Sequence, residues 1–210
     1  MKKLICACIA GALAASGAAH AAFLDFVGTA ASNEGGVADG TVIVYDGVSV
    51  TFSSGGPASF YAYFDDLFDG RPAGLGVCET LAGAPPSDCL DAGDDNVESG
   101  ESVRVAFDRT VNLSNFSFSG DEHFSLNAST GTLLINGAAF TFIDVVGLTP
   151  AVVAAVSGVT FVDFAFGGAN PLAFYVNSFT ASEVPLPAAA PLLLAGFGGL
   201  SLASRRKKRG

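Results

Sequence analysis

The stretch Thr41-Val-Ile-Val-Tyr-Asp-Gly-Val-Ser-Val-Thr-Phe52 contains the clearest structural signal in this chain. Two runs of β-branched and aromatic residues, 41–45 and 48–52, flank the dipeptide Asp46-Gly47. Asp-Gly supplies the positive φ angles that a two-residue type I′ turn needs. The stretch therefore predicts an antiparallel β-hairpin.

Further strands are expected at short intervals along the chain. In one of them Val103, Val105 and Phe107 share a face while Arg104 points to the other, as in a half-buried antiparallel strand. The predicted ranges are 59–64, 101–107, 111–119, 124–128, 132–136, 139–145, 159–166 and 172–181. One short helical turn is expected at 150–156. The predicted fold class is all-β, an antiparallel β-sandwich that is jelly-roll-like or immunoglobulin-like, with a closed barrel as the alternative.

Charge is distributed unevenly. Seven of the ten basic residues lie at the two ends, and the middle holds three arginines against all twenty acidic residues, so residues 22–183 carry a formal charge of −17. Such a surface repels phosphate backbones, which argues against nucleic-acid binding and favours divalent cations as partners. Solubility alone also explains a net negative charge.

The N-terminal segment has the parts of a secretory signal. Lys2 and Lys3 precede an apolar run, 4–15, and small residues end at Ala19-His20-Ala21. The apolar run is short for a membrane span, and the A-x-A pattern suits signal peptidase. We expect residues 1–21 to be a signal peptide and the exported ectodomain to cover 22–183.

Two cysteines remain in the mature chain after this processing, Cys78 and Cys89. An even number of cysteines in an exported protein predicts a disulfide. A metal thiolate pair is the alternative, but His123 is the only histidine of the mature chain, which gives little support to a closed zinc site.

The C-terminal segment, 184–210, is built in three parts. A short motif is followed by apolar residues to 203 and then by a basic cluster. The motif is Val184, Pro185, Leu186, Pro187 and Ala188, and the cluster is Arg205, Arg206, Lys207, Lys208 and Arg209. As a helix, 187–203 would be about 26 Å long, near the thickness of the hydrocarbon core. We expect one transmembrane helix with the basic C-terminus in the cytoplasm.

This tripartite tail resembles the PEP-CTERM sorting signals of bacteria that make exopolysaccharide, in the variant whose motif reads VPLPA. The resemblance implies that the chain is the substrate of an exosortase, a membrane-embedded processing enzyme that detaches or transfers the ectodomain. It covers only the tail and implies nothing about the chemistry of the ectodomain. An ordinary C-terminal membrane anchor is the alternative.

A long acidic loop is expected between 74 and 100. Seven oxygen-bearing side chains crowd its second half: Asp88, Asp91, Asp94, Asp95, Asn96, Glu98 and Glu101. Calcium takes six to eight oxygen ligands, so this loop is a candidate calcium site. The spacing is not that of an EF-hand, and a solvated acidic loop is the alternative.

Catalytic motifs are absent from the sequence. His123, beside Asp121 and Glu122, is interpreted as a surface residue, and neighbouring carboxylates such as Asp65 and Asp66 are expected to point to opposite faces of a strand.

These features together predict a non-enzymatic surface or matrix protein, exported and sorted, that associates with exopolysaccharide or the cell envelope. A calcium-dependent carbohydrate-binding module is the first alternative. A secreted polysaccharide-active enzyme is the second.

Overall fold

The computed structural model of the chain describes residues 20–55, 60–66, 69–90 and 95–184. Within these ranges the chain is mostly antiparallel β-sheet with three short helices. In chain order the elements are β1 (Ala21–Asp25), α1 (Phe26–Asn33), β2 (Gly35–Val37), β3 (Val42–Tyr45), β4 (Val48–Gly55), β5 (Tyr61–Asp65), β6 (Gly74–Cys78), β7 (Ser102–Gly120), β8 (Thr132–Ile135), β9 (Ala138–Thr141), α2 (Phe142–Val146), α3 (Pro150–Val156), β10 (Val159–Phe166) and β11 (Phe174–Glu183). The all-β prediction is confirmed.

Strand β7 connects the two halves of the structure. Its first part pairs with β4 and β10, and its second part pairs with β11. Strand β11 also pairs with β1 and β6, and β6 continues through β5 to β2. All the described strands are thus joined in one antiparallel network that bends along β7.

The core is aromatic and lies between the faces of these two halves. The ring of Phe52 in β4 lies 5.2 Å from that of Phe64 in β5, and the ring of Phe164 in β10 lies 5.9 Å from that of Phe179 in β11. Phe26 of α1 is fully buried and contacts three of these four rings edge-on or tilted. Two strand layers with such a filling make the fold β-sandwich-like.

The predicted hairpin is confirmed. Strands β3 and β4 pair directly, and Asp46 and Gly47 between them have φ angles of 45° and 82°. The predicted helical turn at 150–156 is also confirmed, as α3.

Several predicted boundaries are wrong. Residues 108–110 do not interrupt β7, and Arg109 in this stretch binds the Asp108 and Glu183 carboxylates. The range 124–128 forms no strand, only an isolated bridge from Ser125 to Ser119 followed by a turn, and the second half of 139–145 is helix α2, capped by the Thr141 side chain. Strand β6 occupies the start of the predicted long loop.

The two ends of the folded unit, His20–Glu183, lie side by side. Ala21 is paired with Ser182, and the Glu183 amide donates to the His20 carbonyl at 2.8 Å. At the opposite end of β11, Phe174 is paired with Gly120. The strand would cover roughly 26 Å from Tyr175 to Glu183.

Candidate ligand-binding pocket

A pocket of about 740 Å³ opens at the Phe174 end of β11. Segments from several parts of the chain meet there: the ends of β5 and β7, the start of β11, and the loops after α1 and β6. Its acidic side chains are Glu34, Asp65, Asp66, Asp88, Asp95, Asp121 and Glu122. The volume is within the range of about 300–1,000 Å³ that is typical of small-molecule sites.

His123 forms one side of the pocket floor. It follows β7 in a tight turn with a φ of 58°, its amide donates to the Gly120 carbonyl at 2.7 Å, and its residue surface is 8% exposed. Its Nδ1 lies 3.2 Å from the Arg71 carbonyl oxygen, which can only accept, so this nitrogen carries a hydrogen. The interpretation of His123 as a surface residue is therefore wrong.

Asp65 faces this histidine from the end of β5. Its Oδ2 lies 3.1 Å from His123 Nε2, and the residue is 9% exposed. Burial, followed by the charge of Asp95, raises the pKa of Asp65 to about 7. Asp65 therefore changes its protonation state near neutral pH.

Tyr175 closes the floor of the pocket. It is 1% exposed, its ring meets that of His123 edge-on at 5.2 Å, and its hydroxyl donates to Asp95 Oδ1. Burial and the Asp95 carboxylate raise the pKa of Tyr175, and burial also raises the pKa of Asp95. Clusters of perturbed ionisable groups in a cleft are typical of functional sites.

The disulfide fixes the opposite wall. Cys78 of β6 is bonded to Cys89, with Cα atoms 5.8 Å apart, which confirms the predicted pairing. The Tyr63 hydroxyl accepts a hydrogen bond from the Cys89 amide and donates to Glu34 Oε1, each at 3.4 Å. The bridge therefore holds the loop that carries Asp88 against β5.

Glycine makes the remaining wall possible. A Cβ atom on Gly76 of β6 would lie 2.0 Å from the Asp95 carbonyl oxygen, well inside van der Waals contact. Because Gly76 has no side chain, the backbone of residues 95–96 lies directly on β6, where the Val77 amide donates to the Asn96 carbonyl at 3.3 Å. This contact places Asp95 at the pocket.

Adjacent carboxylates turn out to share this pocket. Asp65 ends β5 and Asp66 follows it, while Asp121 and Glu122 lie in the turn after β7. The alternation of a strand no longer applies where the strand ends, so the expectation that each pair points to opposite faces is wrong.

The predicted calcium ligands are divided by the structure. Asp88 and Asp95 line the pocket, whereas Asp91 and Asp94 lie outside the described residues. Asn96 is 1% exposed, and its Nδ2 donates to Asp121 Oδ1 at 3.3 Å.

The last two predicted ligands, Glu98 and Glu101, lie in a local turn, where the Glu98 amide donates to Glu101 Oε2 at 2.8 Å. The described residues contain no group of three or more His, Cys, Asp or Glu placed to hold a metal ion. The calcium site stays a prediction.

The predicted sorting residues fall almost entirely beyond the described ranges. Val184 is described, but Pro185 to Ala188, the basic cluster 205–209 and residues 1–19 of the signal peptide are outside them. Among the residues that the structure covers, no helix has the length and apolar character to cross a membrane.

Comparison with known proteins identifies no relative of this chain. No protein-family model, no curated protein and no solved structure matches the chain. The interpretation of the pocket therefore depends on its own geometry.

Proposed function

We propose that the chain is an exported, exosortase-sorted cell-surface or extracellular-matrix protein without enzymatic activity, which associates with exopolysaccharide or the cell envelope through the pocket at the Phe174 end of β11. Signal peptidase and an exosortase-like enzyme are its processing partners. Before processing, the C-terminal helix holds it in the membrane. We also propose that the sandwich is jelly-roll-like or immunoglobulin-like.

One observation carries the proposal: the folded unit His20–Glu183 covers the interval between the two expected processing sites and extends only two residues beyond it, with its pocket at the far end from both. Cleavage after Ala21 would remove the hydrogen bond between His20 and Glu183 and the Ala21–Ser182 pair, but the four pairs from Ala22 to Asp25 would keep the β1–β11 ladder largely intact. The disulfide between Cys78 and Cys89 suits an oxidising compartment outside the cytoplasm.

The sorting part is tested by intact mass. We would fractionate producing cells, measure the mass of the protein from membrane and medium, and repeat this in a strain that lacks the exosortase-like enzyme. We expect a medium form that starts near Ala22, ends near Val184 and disappears in that strain. A tail that persists to Gly210 in the membranes of both strains would contradict sorting.

A calcium-dependent carbohydrate-binding module is the second candidate, because Asp88 and Asp95 both line the pocket. Thermal unfolding with increasing calcium distinguishes it from the first. A cation at about a hundred times its dissociation constant adds about 2.7 kcal/mol to the free energy of unfolding. An unchanged melting curve would remove calcium from the proposal.

The contact between Asp65 and His123 also favours testing the enzyme alternative, since a carboxyl group that titrates near neutral pH suits general acid–base chemistry. The assay is release of reducing ends from polysaccharides. We expect none, and turnover that is lost in Asp65→Asn would replace the non-enzymatic proposal.

A further inference from the structure

We propose that the pocket binds ligands with primary ammonium groups, specifically glucosamine-type units of a polysaccharide whose acetyl groups have been removed. This inference rests on the proposed function and names the chemistry of its ligand. It has three supports: the charge of the pocket, its unused hydrogen-bond acceptors and its shape.

The charge of the pocket is strongly one-sided. Seven carboxylic side chains line it, against the guanidinium of Arg71 and the imidazole of His123. The Arg71 guanidinium lies 4.1 Å from the ring centroid of Phe124, over its face, so the arginine is already engaged with a neighbour. An anionic polysaccharide would be repelled by this lining, whereas a cationic one would be attracted.

The hydrogen-bonding capacity of the wall is also unbalanced. In the part of the chain that the structure describes, the buried Oδ1 atoms of Asp66 and Asn96 accept no hydrogen bond. Asp66 lines the pocket itself, whereas the Asn96 carboxamide is 1% exposed and donates through its Nδ2 to Asp121, which lines the pocket. Buried acceptors without partners are rare and costly.

The two tyrosine hydroxyl donors of the pocket are already in use. The Tyr63 hydroxyl donates to Glu34 and the Tyr175 hydroxyl donates to Asp95. A ligand that fits this wall must therefore supply hydrogens. An ammonium group supplies three of them together with a positive charge.

The shape suits an organic cation. The carboxylates are distributed around a cavity of about 740 Å³, which has room for a sugar unit as well as its ammonium group. Tyr63 and Tyr175 add aromatic surface to the lining. Sugar rings pack on such surface, and ammonium groups are attracted to the faces of aromatic rings.

The inference is tested by calorimetry on the chain as purified from producing cells, at a pH where the sugar amine is protonated. The probe is a trimer of glucosamine, and the matched control is a trimer of N-acetylglucosamine, which has the same backbone without the charge. We expect the amino trimer to bind at least about tenfold more tightly, the gain from one or two charge-assisted hydrogen bonds. Raising the salt concentration should weaken that binding.

Three outcomes would overturn the ammonium-binding inference, each in a different way. Equal binding of both trimers would end the ammonium inference but leave the glycan-binding proposal in place. Binding of neither trimer would contradict both the inference and the use of the pocket for glycans. Tighter binding of a lysine trimer than of the glucosamine trimer would show that the site prefers amines of peptides.

Variants locate the binding. Asp65→Asn removes a buried carboxyl group, and Glu122→Gln removes one from an exposed lining residue whose change leaves the core untouched. Asp39→Asn is the matched control, because it removes the same charge from an exposed residue outside the pocket lining. We expect about tenfold weaker binding for Asp65→Asn, a smaller loss for Glu122→Gln and no change for Asp39→Asn. Equal losses in all three would overturn the inference.

Discussion

Asp65 shows how a single side chain can link the pocket to stability. It is buried at the end of β5 among Glu34, Asp66 and Asp95, and its Oδ2 lies 3.1 Å from His123 Nε2. The protein keeps a carboxyl group where its ionised form is disfavoured. Such an arrangement costs stability and is typical of sites that bind a partner.

The raised pKa of Asp65 predicts a pH-dependent stability. Between the usual value of 3.8 and about 7, the folded chain holds a proton on Asp65 that the unfolded chain has released. The contribution of this group is therefore fully present below pH 3.8 and is lost as the pH rises to about 7. We expect Asp65→Asn to be more stable than the wild type above that pH by about 1–2 kcal/mol, since solvent in the pocket screens part of the penalty.

Urea unfolding across this pH range measures the effect. Asp39→Asn is the control: because it keeps Asp65, its stability should change with pH as that of the wild type does. The two chains should converge at acidic pH. A variant that is less stable than the wild type at neutral pH would mean that the ion pair with His123 outweighs the cost of burial.

Phe26 has the same importance for the core that Asp65 has for the pocket. Its fully buried ring contacts the rings of Tyr45, Phe52, Phe64 and Phe179. We expect Phe26→Ala to lower the free energy of unfolding by about 3–5 kcal/mol. Phe23→Ala is the control, because Phe23 is 51% exposed and its loss should cost under about 0.5 kcal/mol. Similar denaturation midpoints for the two variants would contradict this account of the core.

At the scale of elements, the sequence predicts what local signals determine. The Asp46-Gly47 turn and the alternation of Val103, Val105 and Phe107 depend on neighbouring residues alone, so both were correctly predicted. The range 124–128 alternates in the same way without forming a strand, and Phe124 is 53% exposed beneath Arg71. Local pattern cannot reveal which apolar residues find a partner surface.

Strand β6 shows the opposite case, because two glycines weaken its local preference for a strand. Gly76 is required by the close approach of Asp95, and a Cβ on Gly74 would lie 2.5 Å from the Val176 carbonyl oxygen. These are long-range contacts that no window of sequence contains. The pocket could not be predicted from local sequence either. Its residues Asp65, His123 and Tyr175 come from three different strands or turns that are far apart in the chain.

Replacing Gly76 tests how β6 shapes the pocket. Gly76→Ala would push a methyl group into the Asp95 backbone, so we expect a loss of about 1–3 kcal/mol together with weaker binding of the glucosamine trimer. The control is Gly47→Ala, where the added methyl would meet no atom within 4 Å and only the positive φ is strained. That change should cost about 1 kcal/mol and leave binding intact. Unchanged binding in Gly76→Ala would contradict the role given to this contact.

At the scale of the whole folded unit, the direction of β11 relates the pocket to the exit of the chain. Tyr175 lies in the pocket and Glu183 precedes the proposed sorting motif, so the strand separates Tyr175 from Glu183 by roughly 26 Å. Sites further apart than about 10 Å with no shared partners are usually energetically independent. The folded unit therefore has no structural reason to bind differently before and after its tail is removed.

This independence predicts equal affinity for the glucosamine trimer in the full chain, held in lipid vesicles, and in a chain that ends after Glu183. The two dissociation constants should agree within about twofold. Asp65→Asn should weaken binding in both forms, which confirms that the same pocket is measured. If the vesicle-held chain binds much more weakly, attachment hides or distorts the pocket, and processing would then be the step that exposes it.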